Sequence, residues 1–292
     1  MNGRTRAWLT LVRLPNVFTA AADAIGGFLY MGGRLDDWPM LFALVGASSC
    51  LYAGGVALND VCDVERDRIK RPDRPIPSGH VARELALRVS LVLLAGGVGL
   101  AALAGARPAG AALMLVGVIV LYDTGDKERA IAPMLMGACR ALNLAMAVSV
   151  SEECFKLSAL VPIGLLWFYV ASLTLLARHE VGNSSRKDRV LGAAGACLAV
   201  AGLTSLALLM EDLGAIYFAA VVVTTLFVAG HGVAAVRDGI PVTIQRSVTN
   251  LVLGIMMFDA CLVIAARGIF HALLIAAPAG AAIASARVIR VT

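Results

Sequence analysis

The sequence predicts an all-α protein, a polytopic transmembrane helical bundle of nine to ten spans with its N-terminus in the cytoplasm. Three observations carry this. Of 292 residues, 59% are hydrophobic and only 15% charged, against about 25% charged in an ordinary soluble domain; the mean hydropathy is +0.82. Ten apolar stretches recur along the chain, each near the roughly 17–25 residues that a helix needs to cross a bilayer. Finally, Lys and Arg alternate from connection to connection as the positive-inside rule requires. This composition excludes an ordinary cytosolic enzyme, a nucleic-acid-binding domain and a disordered chain. The net charge of +5 is read as basic cytoplasmic loops.

In chain order, the first stretch is 15–31, interrupted by Asp23 and preceded by Arg4, Arg6 and Arg13. It lacks a small-residue cleavage site followed by a soluble domain, so it reads as a first span and not as a removed signal peptide. The following stretches are 39–58, 83–104, 107–122, 131–150, 157–177, 190–210, 213–231, 249–266 and 269–286, the last two divided only by Arg267 and Gly268. Short linkers such as 32–38 and 151–156 make sequence neighbours antiparallel. With the N-terminus inside, nineteen Lys and Arg fall in cytoplasmic connections and four outside. No separate soluble domain fits, so residues 1–292 read as one membrane domain. The span count and the absence of a transit peptide point to a bacterial inner membrane.

The six cysteines show no CxxC pair and no zinc-like spacing; five lie in or beside apolar stretches, where Cys acts as a small hydrophobe. Ionisable and amide side chains inside spans are costly and face a bundle interior or a wet cavity. Asp23, Arg140, Asn143 and Asp259 are such residues. Arg140 and Asn143 stand three apart and share a helix face, which points to a polar-lined cavity that binds an acceptor or to a pairing of this face with Asp23.

The loop after the second stretch, 59–83, carries the chemistry. It runs Asn59-Asp60-x-x-Asp63-x-x-x-Asp67 and continues through Arg66, Arg68, Lys70, Arg71 and Arg74 into Pro72, Pro75 and Pro77. If the helix continues through Asp67, then Asn59, Asp60, Asp63 and Asp67 are spaced three or four apart and project together at the cytoplasmic mouth. Carboxylates so clustered repel one another unless a cation sits between them. Mg²⁺ prefers oxygen ligands and commonly combines one or two carboxylates with substrate phosphates. The arginines that follow, Arg66, Arg71 and Arg74, are suited to grip phosphate oxygens, and the prolines end the helix.

This run, with Arg71-Pro72-x-Arg74-Pro75-Ile76-Pro77-Ser78-Gly79, resembles the first aspartate-rich motif of the UbiA family of intramembrane prenyltransferases. Arg13-Leu14-Pro15-Asn16 entering the first span, with Asp23 after it, resembles that family's start. The resemblance implies a helical bundle around a lipid-open cavity, a Mg²⁺ cofactor, an isoprenyl diphosphate substrate and a lipophilic acceptor. It implies catalytic roles for Asp60, Asp63 and Lys127, and diphosphate contacts from Arg13, Arg66, Arg71, Arg74, Lys127 and Arg178. Metal ligands would be Asn59, Asp60, Asp63, Asp67 and Glu180, and the acceptor cavity would involve Asn16, Asp23, Arg140 and Asn143. Lys127 belongs to the segment 122–130, which begins Tyr122-Asp123 and resembles the family's tyrosine-to-lysine segment, one residue longer. Where the family carries a second DxxxD-type pair, segment 177–189 has Ala177-Arg178-His179-Glu180 and then Asn183, without paired aspartates.

These segments, with Met136-Gly137-Ala138-Cys139-Arg140-Ala141-Leu142-Asn143, are similar to the UbiA-like EboC branch, found in bacterial gene clusters associated with export of secondary metabolites. Partner proteins from such a cluster follow from that resemblance. The principal expectation is Mg²⁺-dependent prenyl transfer. The alternatives are a UbiA-type terpene cyclase, in which the substrate's own double bonds capture the cation, and a non-catalytic membrane component assisting export.

Overall fold

The computed structural model describes residues 2–126, 130–178 and 185–289. Among the described residues all regular structure is helical. A short amphipathic helix, α1 (Gly3–Leu11), precedes α2 (Leu14–Tyr30) and α3 (Trp38–Cys62), and α4 (Val64–Lys70) follows at once. Then come α5 (Arg83–Ala104), α6 (Ala106–Thr124), α7 (Ala132–Val148), α8 (Leu157–Ala177), α9 (Arg186–Ala201), α10 (Ala215–Asp238), α11 (Pro241–Arg267) and α12 (Ile269–Val288). Each of the ten apolar stretches is therefore a helix. Among the described residues, eight helices are long and apolar enough to cross a membrane, counting α9 with the 3-10 turn that extends it to Leu208. The other two, α2 and α7, have 17 residues each.

The long helices pack in sequence order, from α2 through α3, α5 and onward to α12, which closes the ring on α2. Cross-packing of α2 on α7 and α11, and of α8 on α11, fills the middle. Gly26 permits part of this closeness: a Cβ there would lie 3.0 Å from the Cβ of Asp259 on α11. The outer helices α5, α10 and α12 keep most of their apolar surface facing outward, as expected where lipid takes the place of a protein neighbour.

The proline-rich segment after α4 is folded down and not left in solvent. Ile76 and Val81 are buried with Leu11 of α1, Val61, Val64 and Ala86. The backbone N–H of Val81 donates to the Pro75 carbonyl at 3.0 Å and closes the turn. Burying a side chain such as Ile76 contributes about 1.5–3 kcal/mol, so this small cluster holds the loop, and with it Arg74, against the end of the bundle.

Candidate functional site

At that end a cavity of about 550 Å³ opens among α2, α3, α6, α7, α8 and α11. Its mouth is lined by Arg13, Asn59, Asp63, Arg66, Asp67, Lys70, Arg71, Arg74, Asp123 and Arg178. Its depth is apolar, with Leu51, Leu115, Ile119, Met136, Leu173, Val252 and Ile255. Asn16, Arg140 and Asn143 interrupt that apolar wall. A charged mouth over a greasy shaft is the shape that an amphiphile with an anionic head requires.

The aspartate-rich run differs from a single continuous helix. α3 ends at Cys62, Asp63 caps it with φ −85° and ψ 6°, and α4 begins at Val64. The i,i+4 hydrogen bonding nevertheless passes through the break. The N–H of Asp63 donates to the Asn59 carbonyl and that of Asp67 to the Asp63 carbonyl, both at 2.9 Å. Asn59, Asp63 and Asp67 therefore stay on the cavity face. Asp60 does not line the cavity, although Arg74 bridges it to Asp67. Only 4% exposed, it receives Nη1 of Arg74 at 3.0 Å and Nη2 of Arg13 at 3.4 Å on one carboxylate oxygen. Two guanidinium groups thus face its charge.

Arg74 is itself buried, and its Nη1 also donates to Oδ2 of Asp67 at 2.7 Å. One guanidinium thus ties the end of α3 to α4. Arg13 reaches the site from a left-handed backbone position, φ 48° and ψ 55°, where the chain turns from α1 into α2. That region is uncommon for a non-glycine residue.

Asp123, at the end of α6, joins the site although the sequence reading gave it no role. Its Oδ1 accepts from Nδ2 of Asn59 at 2.7 Å. The available signal was its place directly after Tyr122, which also lines the cavity. Lys70 is a second lining residue to which the sequence assigned no role. Lys127, His179, Glu180 and Asn183 lie outside the described residues.

Within the bundle, Arg140 Nε stands 2.6 Å from Oδ2 of Asp23. Asn143 Nδ2 donates to the same oxygen at 2.8 Å and to the Ala20 carbonyl at 3.1 Å. Asp23 is fully buried behind the cavity wall, so its expected place in an acceptor pocket is corrected: it anchors Arg140 and Asn143, which do reach the cavity. The pairing with Asp23 lies behind the wall, and Arg140 and Asn143 line its front.

Among the described residues no three Asp, Glu, His or Cys side chains gather closely enough to hold a metal ion by themselves. The oxygen donors at the mouth, Asn59, Asp63, Asp67 and Asp123, are hard ligands of the kind Mg²⁺ takes. Mg²⁺ needs only one or two carboxylates when substrate phosphates and water complete its shell. The donor set therefore fits an ion shared with a diphosphate and does not form an all-protein cage.

An all-helical bundle of long apolar helices defines an integral membrane protein. Comparison with known proteins makes the class specific: the UbiA prenyltransferase family matches residues 20–248, and the chain belongs to that family. It is 36% identical over 118 residues to the digeranylgeranylglyceryl phosphate synthase of Sulfolobus acidocaldarius, covering 40% of this chain and 42% of that one. The corresponding protein of Methanopyrus kandleri is 46% identical over 96 residues, 33% of this chain and 35% of its own. The chain thus spans less than half the length of these relatives. Among solved structures, a UbiA homologue from Aeropyrum pernix K1 superposes with a TM-score of 0.69 at 15% identity, covering 85% of this chain and 97% of that one. A UbiA homologue from Archaeoglobus fulgidus bound to GPP and Mg²⁺ gives 0.61 at 13% identity, with 88% and 99% covered. These likenesses bear on the fold.

Proposed function

We propose that the chain is an intramembrane prenyltransferase that moves an isoprenyl group from its diphosphate to a lipophilic acceptor. The cavity carries this reading, because its basic and acidic mouth leads directly into an apolar shaft. The names of the relatives and the GPP and Mg²⁺ of a structural neighbour support the substrate class, and a glyceryl phosphate lipid is one acceptor they suggest. In this reading residues 1–292 act as one domain of nine to ten spans in a bacterial inner membrane, with the N-terminus and the cavity mouth on the cytoplasmic side.

Arg66, Lys70, Arg71 and Arg178 hold the diphosphate oxygens, with Arg forming paired charge-assisted hydrogen bonds. Asp63 and Asp67, with Asn59, would hold Mg²⁺, which when bound offsets negative charge on the leaving diphosphate. Lys127 is assigned to the diphosphate and Glu180 to a second ion by family resemblance. The bond between the prenyl C1 and the diphosphate oxygen breaks, the electron pair leaves with the diphosphate, and an allylic cation remains. Leu115, Ile119, Val252 and Ile255 keep water from that cation until the acceptor's electron pair closes the new bond and the acceptor loses a proton. Arg140 and Asn143, held from behind by Asp23, orient the acceptor's polar end.

The test is release of inorganic diphosphate by purified protein in lipid, with Mg²⁺ and isoprenyl diphosphates of increasing length, with and without a host lipid extract. Release that needs the extract and disappears in Asp63→Ala is the expected result. Release without extract would replace transfer by cyclisation or hydrolysis. Binding without release would leave a non-catalytic component of the EboC kind.

A further inference from the structure

A second groove lies on another wall of the bundle, between α9 and α10, with a volume of about 700 Å³. It shares no lining residue with the cavity. Its upper end carries three guanidinium groups, Arg186 and Arg189 from the first turn of α9 and Arg237 from the last turn of α10. Below them the lining is apolar or small, including Val190, Val233 and Ala194. The acidic residues at these helix ends, Asp188 and Asp238, do not line it.

The basic end lies on the same side of the bundle as the cavity mouth, because α8 ends there at Arg178 and α9 sets out again at Arg186. From Arg186 to Cys197 the groove follows α9 for roughly 16 Å, the depth of one leaflet of a hydrocarbon core about 30 Å thick. α10 turns most of its surface outward, so the groove opens toward lipid.

Part of the basic end is prearranged. Arg189 is 9% exposed, and its guanidinium lies under the turn at Gly239, where a Cβ would come within 2.9 Å of Nη2. The positive φ of 64° and this close approach both call for glycine.

We propose that this groove binds one anionic phospholipid, with its phosphate among Arg186, Arg189 and Arg237 and one acyl chain along the apolar lining. A free phosphate would share the head contacts alone, and a zwitterionic lipid the tail contacts alone. Basic pockets between membrane helices select anionic headgroups on these grounds, each cation near the surface contributing about fivefold in affinity.

The experiment is native mass spectrometry of the detergent-purified full chain titrated with phosphatidylglycerol, phosphatidylcholine or inorganic phosphate. One phosphatidylglycerol should be retained in preference to phosphatidylcholine. Arg186→Gln with Arg237→Gln, both at exposed positions, should weaken it about 30-fold. Ala194→Trp, which fills the apolar arm and leaves the arginines in place, should also weaken it. Equal retention of the two lipids, equal retention by the arginine variant, or phosphate displacing the lipid at equal concentration would each overturn the proposal. Diphosphate release is not read in this experiment, so failure here is separable from failure of the transferase assignment.

Discussion

Replacing Arg74 with Met should markedly destabilise the charged end of the bundle. The guanidinium is 7% exposed and serves two carboxylates, Asp60 at 3.0 Å and Asp67 at 2.7 Å, which are themselves 6% and 8% exposed at the side chain. Removing one partner of a buried pair costs about 3–5 kcal/mol, because the remaining charge is left without compensation. Asp60 keeps Arg13 at 3.4 Å, but that arginine is 27% exposed and such a contact is worth at most about 1 kcal/mol. Asp60 and Asp67 are then both left short of compensation, and a net cost of about 3–5 kcal/mol is expected. Asp67→Asn placed in the Arg74→Met protein should recover part of it. The Arg74–Asp67 coupling in the double-mutant cycle should be about 1.5–3 kcal/mol. The assay is equilibrium unfolding in mixed micelles, followed by circular dichroism, with protease cleavage within 71–82 as a local readout. Arg74→Met within about 0.5 kcal/mol of the parent, or a coupling no larger than that of Arg13 with Asp60, would refute the assignment of Arg74 as the tie between α3 and α4.

Asp23→Ala should cost about 1–3 kcal/mol in the same unfolding assay, because Arg140 and Asn143 lose their shared acceptor while the buried Asp259 still offsets the Arg140 charge. Gly26→Ala should cost about 1–3 kcal/mol, because the new Cβ meets Asp259 at 3.0 Å; a neutral result would show that α2 and α11 part easily. Ile76→Ala should cost about 2–5 kcal/mol and speed cleavage of the loop, measured as a proteolysis rate. Val252→Trp should shorten the apolar shaft, so the longest isoprenyl diphosphate accepted in the release assay should fall while the shortest is still used.

The helices were legible because lipid demands one property over about twenty consecutive residues, and that property is written locally. Their ends were less so. α9 begins at Arg186 and not near 190, and α11 at Pro241 and not near 249, because both open with polar turns that hydropathy passes over. In the site, Asn59, Asp63 and Asp67 could be placed on one face from spacing alone. The approach of Arg13 to Asp60 could not, since the two are 47 residues apart. Asp123 escaped notice for the same reason: what gives it meaning is Asn59, 64 residues away. The choice of Arg74 over its neighbours as the buried guanidinium was equally hidden, for it follows from how Ile76 and Val81 dock the loop.

The packing of α2 against α7, α11 and α12 has a bearing on biogenesis. Asp23 enters the membrane with the first of the long helices, yet Asn143 lies 120 residues further along and α11 later still. At roughly 5–20 residues per second of translation, that carboxylate spends on the order of ten seconds in the nascent chain before its neighbours are made. α2 is therefore made well before the helices that surround it, and the bundle closes only when its last helices arrive to enclose its first.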